Sequence, residues 1–318
     1  MSIHTILGAG GAISRLLAPE LTSRRLSVRL VSRHPAALVD PPGSPGAGEI
    51  TTFAADLTDA SQALAAIQGS AVVYLCIGLP YRYSIWRRGW PLIIDNTIEA
   101  CKKVQAKLIF FDNAYMYGRT EGAMTEETLY DPSSRKGDLR ARLATQLMSE
   151  VRKGNIVATI ARAADFYGPG AGSHSLPDLL VFRKLINDQR AQWLVNARVR
   201  HSFTYTPDAA KALCILASDD NSWNQVWHLP TAANPLTGAQ FIGQAAAALG
   251  KADRLQVLPK WMIRLGGLFD RSTAEMYEML YQYEFENLFD SSKFEKAYQF
   301  RPTPYEEGIR ATAGTYTR

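Results

Sequence analysis

Cysteine is scarce in this sequence, and long hydrophobic runs are missing. The 318 residues include three cysteines, Cys76, Cys101 and Cys214, all within apolar stretches. So few cysteines exclude a disulfide scaffold and favour reduced, buried thiols. The longest apolar run, 71–80, is far shorter than the roughly 18 residues that a membrane span needs, and the N-terminus resembles a strand rather than a secretory signal. We therefore expect a cytoplasmic globular protein.

Neither basic nor acidic residues are in large excess. The chain has 35 basic and 30 acidic residues, a net charge of +5. The basic residues are scattered rather than gathered in a stripe with aromatics, which disfavours a nucleic-acid binder. The five histidines lie far apart, so neither a metal site nor a Ser-His-Asp triad is expected. We expect a small-molecule substrate, and neither nucleic acid nor a membrane as partner.

The first half of the chain alternates short apolar runs with longer helical patterns. The runs are apolar almost throughout, as strands covered on both faces must be. This alternation predicts an α/β fold, a Rossmann-type doubly wound parallel sheet. Pro19 is expected to kink or end the first helix. The predicted strands are Thr5–Leu7, Val28–Ser32, Thr51–Phe53, Ala71–Ile77, Lys107–Phe111 and Val157–Ala161; the predicted helices between them include Asp59–Ile67, Trp90–Val104 and Gly137–Val151.

The alternation weakens after residue 165, and helical patterns dominate the second half. We predict a nucleotide-binding domain over 1–166 and a smaller, mostly helical substrate lobe over 167–318. Two short strand patterns, His201–Thr206 and Val226–Leu229, interrupt the helices. The segment 201–230 is therefore expected to return to the sheet of the first domain.

A glycine cluster follows the first strand and opens a helix. Gly8, Gly10 and Gly11 are followed by Ala12 and Ile13. Glycine permits a tight turn and a close approach of the backbone to a pyrophosphate, and a helix N-terminus supplies N–H groups. Because the cluster lies at the first strand–helix joint, it predicts a dinucleotide site.

The end of the second strand indicates which dinucleotide binds. NAD enzymes usually have an acidic residue about 20 residues after the glycines, whereas Ser32 and Arg33 fall near this place. A hydroxyl and a guanidinium can bind a 2′-phosphate, so we expect NADP(H) rather than NAD, unless Arg33 is only a surface arginine. Further cofactor contacts are expected at the carboxyl ends of later strands: Asp56, Leu57, Cys76, Ile77, Gly78 and Ala163.

Together these segments resemble the short-chain dehydrogenase/reductase superfamily, in particular its extended, NAD-dependent epimerase/dehydratase-like branch with atypical active sites. The resemblance implies nucleotide-dependent chemistry at a carbonyl or alcohol carbon, and a possible homodimer through two helices of the first domain. It rests on Gly8-x-x-Gly11-x-x-Ser14, Asp112-Asn113-Ala114-Tyr115-Met116-Tyr117-Gly118, the segment from Arg162 to Gly170, the segment from His201 to Ala210, and Arg301-Pro302-Thr303-Pro304.

The catalytic pattern of that family is not matched. Its serine position corresponds to Asn113, and its Tyr-x-x-x-Lys pair corresponds to Lys136 and Arg140. Buried beside cationic Arg140, Lys136 would be an acid or base; alternatively, it is exposed or binds a cofactor phosphate. We therefore expect Asn113, Lys136, Arg140 and Tyr117 as catalytic candidates, with packing as the alternative for Tyr117.

Aromatic residues and arginines follow the fourth strand, in a predicted loop over 79–90. Aromatic faces beside guanidiniums suit a ring-bearing or anionic substrate. The alternative is a helix-entry loop in which Trp86 and Trp90 fill the core. The expected substrate-binding residues are Tyr81, Trp86, Asp165, His201 and Tyr205.

Two functions remain open at this point. The first is an NADP(H)-dependent oxidoreductase or epimerase/dehydratase-like enzyme for a small carbonyl or alcohol compound, with sugar nucleotides among the options. The second is a non-catalytic NADP(H)-binding regulatory or partner-binding protein, which the lost Tyr-x-x-x-Lys pair permits.

Overall fold

The computed structural model describes residues 2–35, 48–172 and 175–317. Its strands are β1 (Ile3–Leu7), β2 (Ser27–Ser32), β3 (Ile50–Ala54), β4 (Ser70–Leu75), β5 (Lys107–Asp112), β6 (Ala123–Met124), β7 (Ala158–Arg162), β8 (Asp165–Tyr167), β9 (Ala191–Leu194), β10 (Arg200–His201), β11 (Phe203–Tyr205), β12 (Val226–His228), β13 (Leu236–Thr237), β14 (Leu255–Leu258) and β15 (Leu288–Phe289).

Helices connect most of these strands. They are α1 (Ala12–Ser23), α2 (Ala60–Ile67), α3 (Tyr83–Val104), α4 (Arg135–Arg152), α5 (Arg183–Ile186), α6 (Thr206–Ser218), α7 (Gly238–Leu249), α8 (Lys260–Gly266), α9 (Arg271–Met276), α10 (Tyr281–Glu284), α11 (Ser292–Tyr298) and α12 (Tyr305–Ala313).

Seven parallel strands form the central sheet, in the order β12-β7-β5-β4-β1-β2-β3. The strand β1 pairs with both β2 and β4, so the chain reverses its direction of strand addition at this point. The order confirms the predicted doubly wound Rossmann-type sheet. In such sheets ligands bind at the carboxyl ends of the strands, beside the reversal point.

Helices cover both faces of this sheet. The side chains of α1 and α6 pack on one face, and those of α2, α3 and α4 pack on the other. Strands buried from both sides cannot alternate polar and apolar residues, which explains the continuous apolar runs in the sequence.

Two prolines lie inside helices that continue past them. The first helix runs through Pro19 to Ser23, because Leu17 and Leu21 on either side of the proline are fully buried. The third helix begins at Tyr83 and contains Pro91, so the predicted loop over 79–90 is largely helical. Burial of Trp86 and Trp90 offsets the hydrogen bond that a proline removes.

The second half of the chain contributes one strand to the central sheet. The strand β12 pairs with β7 at the sheet end. By contrast, β10 and β11 pair with β13 and β8 in small separate sheets, so only part of 201–230 lies in the central sheet. The remaining lobe has an aromatic core that includes Phe182, Trp193 and Phe241.

Candidate functional site

The turn between β1 and α1 lies directly against the backbone that follows β4. Gly8 has φ 94° and Gly10 has φ 92°, conformations that L side chains rarely adopt. A Cβ atom at Gly8 would lie 2.7 Å from Ile77 Cα. Both the conformation and the close approach therefore require glycine at position 8, and they place Ile77 beside the turn, as predicted.

The N-terminus of α1 fits the phosphates of a dinucleotide. Gly11 is the N-cap and has no side chain to accept from the first-turn N–H groups, which leaves these donors for an anion. Ser14 replaces the third glycine of the family motif, and its hydroxyl donates within the turn to Gly11 O at 3.0 Å. Ala12 and Ile13 are buried behind the turn.

Arg33 and Asp56 lie together where β2 and β3 end. Arg33 is exposed and Ser32 is half-buried. Hydrogen bonds from Thr58 to the carboxylate, and more weakly the charge of Arg33, lower the pKa of Asp56. Asp56 Oδ1 accepts from the Thr58 N–H at 2.9 Å and from its hydroxyl at 2.8 Å. The arrangement presents a guanidinium and a hydroxyl at the edge where a nucleotide ribose would lie.

The remaining predicted cofactor residues lie close to the same edge with different exposures. Leu57 is buried, and Gly78 has open space where a Cβ would be. Burial raises the pKa of the Cys76 thiol to about 12, so it stays protonated at neutral pH. Ala163 is buried behind the strand ends, with its N–H donating to Asp112 O at 3.0 Å.

Asn113 shapes the turn that follows β5. Its Oδ1 accepts from the Tyr115 N–H at 3.1 Å. This bond closes a local turn just before the short 3-10 helix Tyr115–Tyr117, whose N-cap is Ala114. Asn113 is thus placed at the carboxyl edge with its amide oxygen engaged in local structure.

Lys136 is fully buried, so the alternative of an exposed lysine is wrong. Its ammonium donates to Glu275 Oε2 at 2.5 Å and to Glu278 Oε1 at 2.8 Å. It also lies 4.6 Å from the centre of the Tyr81 ring. The charged groups that contact Lys136 are therefore two carboxylates. The sequence suggested instead that Lys136 lies beside the cationic Arg140.

Arg140 is held in a separate buried ion pair. Its guanidinium contacts Asp112 Oδ1 and lies 4.3 Å from the Trp90 ring centre. The second oxygen of Asp112 lies 3.6 Å from Arg162 Nη2. All three side chains are at most 3% exposed. This cluster joins α4 to β5 and β7, which is a structural role for the residue predicted to be catalytic.

Tyr117 also belongs to a buried network rather than to an open site. Its hydroxyl accepts from Arg162 Nη1 at 2.6 Å and lies 2.6 Å from His228 Nε2. Burial is the main cause that raises the pKa of Tyr117 to about 12. Because the hydroxyl is protonated and enclosed, the structure favours the packing alternative for this residue.

Asp165 lies at the centre of a cluster of aromatic hydroxyls, which we call the Asp165 cluster. Asp165 Oδ2 accepts from the Tyr283 hydroxyl at 2.9 Å and lies 3.2 Å from His201 Nε2. Burial is the main cause that raises the pKa of Tyr283 and of Tyr281, and the charge of Asp165 contributes to both. The Asp165 side chain remains 18% exposed, so its carboxylate is reachable. The other members of the cluster are Tyr81, Tyr115, Tyr281, Lys136, Glu275 and Glu278.

Aromatic stacking fixes the walls of the Asp165 cluster. Trp86 stacks on Tyr115 with ring centres 6.5 Å apart, and Tyr81 meets Trp86 edge-on at 5.6 Å. His201 is buried and stacks on Tyr283 at 4.6 Å. Four of the five predicted substrate residues thus lie together.

Tyr205 is the exception among the predicted substrate residues. Its ring packs against Tyr167, with centres 5.4 Å apart, in the aromatic core of the lobe. Burial raises the pKa of Tyr205 to about 12. The residue lies two positions beyond Phe203 on β11, and Phe203 is the residue that pairs with Asp165.

Sequence reasoning missed the segment that closes the Asp165 cluster. Glu275, Glu278, Tyr281 and Tyr283 lie more than a hundred residues after the strand ends that they contact. The only signal for them is a run over 275–284 that is rich in tyrosine and glutamate.

The cluster combines one reachable carboxylate with phenols that keep their protons. Burial raises the pKa of Tyr115, and the charge of Asp165 contributes in the same direction. These phenols are therefore hydrogen-bond donors at neutral pH, while Asp165 is an acceptor. The arrangement can bind a hydroxyl or carbonyl group and take up a proton at Asp165.

Residues 8–142 match a family described as NAD(P)H-binding. The matched segment covers less than half of the chain and includes the glycine turn between β1 and α1. No curated protein matches the sequence.

Solved structures share the whole fold. One is the UDP-glucose 4-epimerase of Thermus thermophilus in complex with NAD, with a TM-score of 0.78, 17% identity and coverage of 100% of this chain and 99% of that one. Another is the dTDP-glucose 4,6-dehydratase of Streptomyces venezuelae with NAD bound, with a TM-score of 0.81, 14% identity and coverage of 99% and 97%. A third is the UDP-glucuronic acid 4-epimerase of Bacillus cereus with NAD, with a TM-score of 0.75, 19% identity and coverage of 100% and 99%. The chain therefore has the fold of NAD-dependent epimerases and dehydratases.

Proposed function

We propose that this protein is an NADP(H)-dependent oxidoreductase of the epimerase/dehydratase type that acts on a hydroxyl or carbonyl carbon of a small substrate. The observation that carries the proposal is the Asp165 cluster, a reachable carboxylate among neutral phenols at the carboxyl edge of a nucleotide-binding sheet. The reacting end of the substrate is a neutral hydroxyl or carbonyl group, because Lys136, the cation of the cluster, is already paired with Glu275 and Glu278.

The preference for NADP(H) over NAD(H) rests on Arg33. This guanidinium is exposed beside Ser32, and the two residues lie at the end of β2 and directly after it, where an NAD enzyme usually carries its ribose-binding carboxylate. A charge-assisted hydrogen bond to a 2′-phosphate contributes about 1.5–3 kcal/mol. Arg33→Ala should therefore weaken NADPH binding roughly 10- to 100-fold and leave NADH binding unchanged.

The change in nucleotide fluorescence on binding measures both affinities. Arg198→Ala, which removes another exposed arginine, is the matched control and should alter neither. Equal weakening of NADPH and NADH by Arg33→Ala would contradict the preference.

Asp165 is the residue that we assign to proton transfer. A bound nicotinamide supplies the hydride acceptor or donor. When a substrate hydroxyl is oxidised, its proton passes to the Asp165 carboxylate; in the reverse direction the protonated acid returns it. Tyr283 holds the carboxylate in place through its hydrogen bond at 2.9 Å, and the hydroxyl of Tyr115 can donate to the substrate oxygen.

Turnover with NADP(H) and a panel of alcohols, ketones and sugar nucleotides, UDP-glucose among them, tests this assignment. Asp165→Asn keeps the shape but removes the base, so we expect a loss of at least about 100-fold in kcat. Tyr205→Phe, in the lobe core, is the control and should keep its activity. Full activity in Asp165→Asn would refute the assignment.

A non-catalytic NADP(H)-binding regulator is the second candidate. It is favoured by the burial of Lys136, whose ammonium is enclosed by two glutamates and replaces the usual phenol–lysine pair. This function predicts nucleotide binding without turnover of any panel compound, and a biological readout that Asp165→Asn leaves intact.

A further inference from the structure

Most of the large apolar side chains that are exposed among the described residues lie in one segment of the second lobe. Phe269 is 92% exposed, Leu268 is 76% exposed and Trp261 is 63% exposed. Isolated surface leucines need no explanation, but seven exposed apolar side chains within fifteen residues indicate an interaction site. We call this group the 255–269 patch; it consists of Leu255, Val257, Trp261, Met262, Leu265, Leu268 and Phe269.

The patch is built on α8 and the turn after it. Within α8, Ile263 is the buried residue that anchors the helix to the lobe core. Trp261, Leu265 and Leu268 follow at i, i+4 and i+7, so they share one face of the helix and its extension. That face points into solvent, which is the reverse of the usual orientation of an amphipathic helix.

Positive charge accompanies the apolar side chains. Between 253 and 271 the sequence contains four basic residues, Arg254, Lys260, Arg264 and Arg271, and two acidic ones, Asp253 and Asp270, one at each end of the patch. Arg254 and Arg264 are exposed, whereas Lys260 pairs with Glu284 at the base of the helix. Arg264 lies beside Trp261 and Leu265 on the helix, where its long side chain can reach past them to an anion.

We propose that the 255–269 patch attaches the protein to the surface of a bilayer that contains anionic phospholipids. A short helix with tryptophan, leucine and phenylalanine on its outer face and arginine beside them is the composition that lies in the headgroup region of a membrane. The protruding turn at Leu268 and Phe269 inserts its side chains, while Arg254 and Arg264 contact lipid phosphates. Charge complementarity selects the anionic lipid surface as the occupant.

Such attachment does not require a membrane-spanning segment. Within the described ranges, no helix is both long and apolar enough to cross a bilayer. No membrane partner was expected because the sequence has no apolar run long enough to span a bilayer. A helix that lies in the headgroup region does not need such a run.

Trp261 provides an intrinsic probe for the test. The chain has six tryptophans, and the other five, at positions 86, 90, 193, 223 and 227, are buried. Mixing the full chain with vesicles of phosphatidylcholine and phosphatidylserine should shift the tryptophan emission to the blue and protect it from iodide. Vesicles of phosphatidylcholine alone, or high salt, should reduce co-sedimentation at least about tenfold.

Two variants separate attachment from general surface hydrophobicity. The double variant Leu268→Glu, Phe269→Glu changes side chains that lie in solvent, so the fold and NADPH binding should be kept; we expect vesicle binding to fall at least about tenfold. Leu129→Glu, at a leucine that is 86% exposed outside the patch, is the control and should bind like the parent.

Several results would overturn the proposal. These are absence of binding to the anionic vesicles, equal loss of binding in Leu129→Glu, or equal binding to neutral and anionic vesicles. Sedimentation that shows a dimer abolished by the double variant, without vesicle binding, would assign the patch to self-association instead. Since none of these measurements involves nucleotide turnover, they are independent of the proposed enzymatic function.

Discussion

Replacing Asp112 by asparagine removes the carboxylate that faces two buried guanidiniums. The side chain of Asp112 is fully buried, as is that of Arg162, and Arg140 is 3% exposed. Removing one partner of a buried pair costs about 3–5 kcal/mol because the remaining charge is left uncompensated. Here two cations lose their shared partner and repel each other, so we expect the free energy of unfolding to fall by at least about 4 kcal/mol.

Urea denaturation measures this loss. Asp220→Asn is the matched control, since its carboxylate pairs with Lys107 at 2.9 Å but is 96% exposed. Removal of such a surface pair should cost at most about 1 kcal/mol.

A second substitution tests the cause of the loss. Arg140→Met in the Asp112→Asn background removes one stranded cation and keeps an apolar contact with Trp90. The double variant should therefore be more stable than Asp112→Asn alone, and a double-mutant cycle gives the coupling. A loss in Asp112→Asn no larger than in the Asp220 control, or no recovery in the double variant, would refute the reasoning.

Further predictions follow from other buried groups. Gly8→Ala should lower stability by about 1–3 kcal/mol, seen in thermal melts, and weaken NADPH binding, because a Cβ would lie 2.7 Å from Ile77 Cα at φ 94°. Burial lowers the pKa of His228 well below 6.5, so only the unfolded state takes up its proton. Stability should therefore fall below about pH 6.5 by up to about 1.4 kcal/mol per pH unit; His228→Gln should flatten this slope, and an unchanged slope would contradict the assignment. Lys136→Met should cost about 2–3 kcal/mol in urea, because it leaves two glutamates that are 17–20% exposed without their cation; an unchanged midpoint would contradict the ion cluster.

The fold could be predicted because its signals are local. Most central strands of the first half are short apolar runs followed by a helical pattern, which in a parallel sheet leaves few alternative topologies. The error over 79–90 also has a local cause, because the arginines at 82, 87 and 88 among aromatic residues resemble a binding loop. The segment from Tyr83 onward is helical instead, because the helix buries Trp86 and Trp90. That burial depends on parts of the chain that are distant in sequence.

The candidate site was only partly predictable. The glycine turn connects β1 to α1, and Arg33 directly follows β2. In a doubly wound sheet these positions in the chain fix where the residues lie in the fold. The partners of Lys136 are 139 and 142 residues away in sequence, and no periodicity connects them. Asp165 and His201 could be named from a motif, but their contact arises from the pairing of β8 with β11.

The central claim is that a dinucleotide with a 2′-phosphate binds at the β1–α1 turn. Isothermal titration calorimetry of the full chain with NADP⁺, and separately with NAD⁺, tests it most directly. We predict one binding site per chain for NADP⁺, with a dissociation constant at least about tenfold below that for NAD⁺. Absence of binding heat and of competition for either nucleotide, or tighter binding of NAD⁺, would contradict the account.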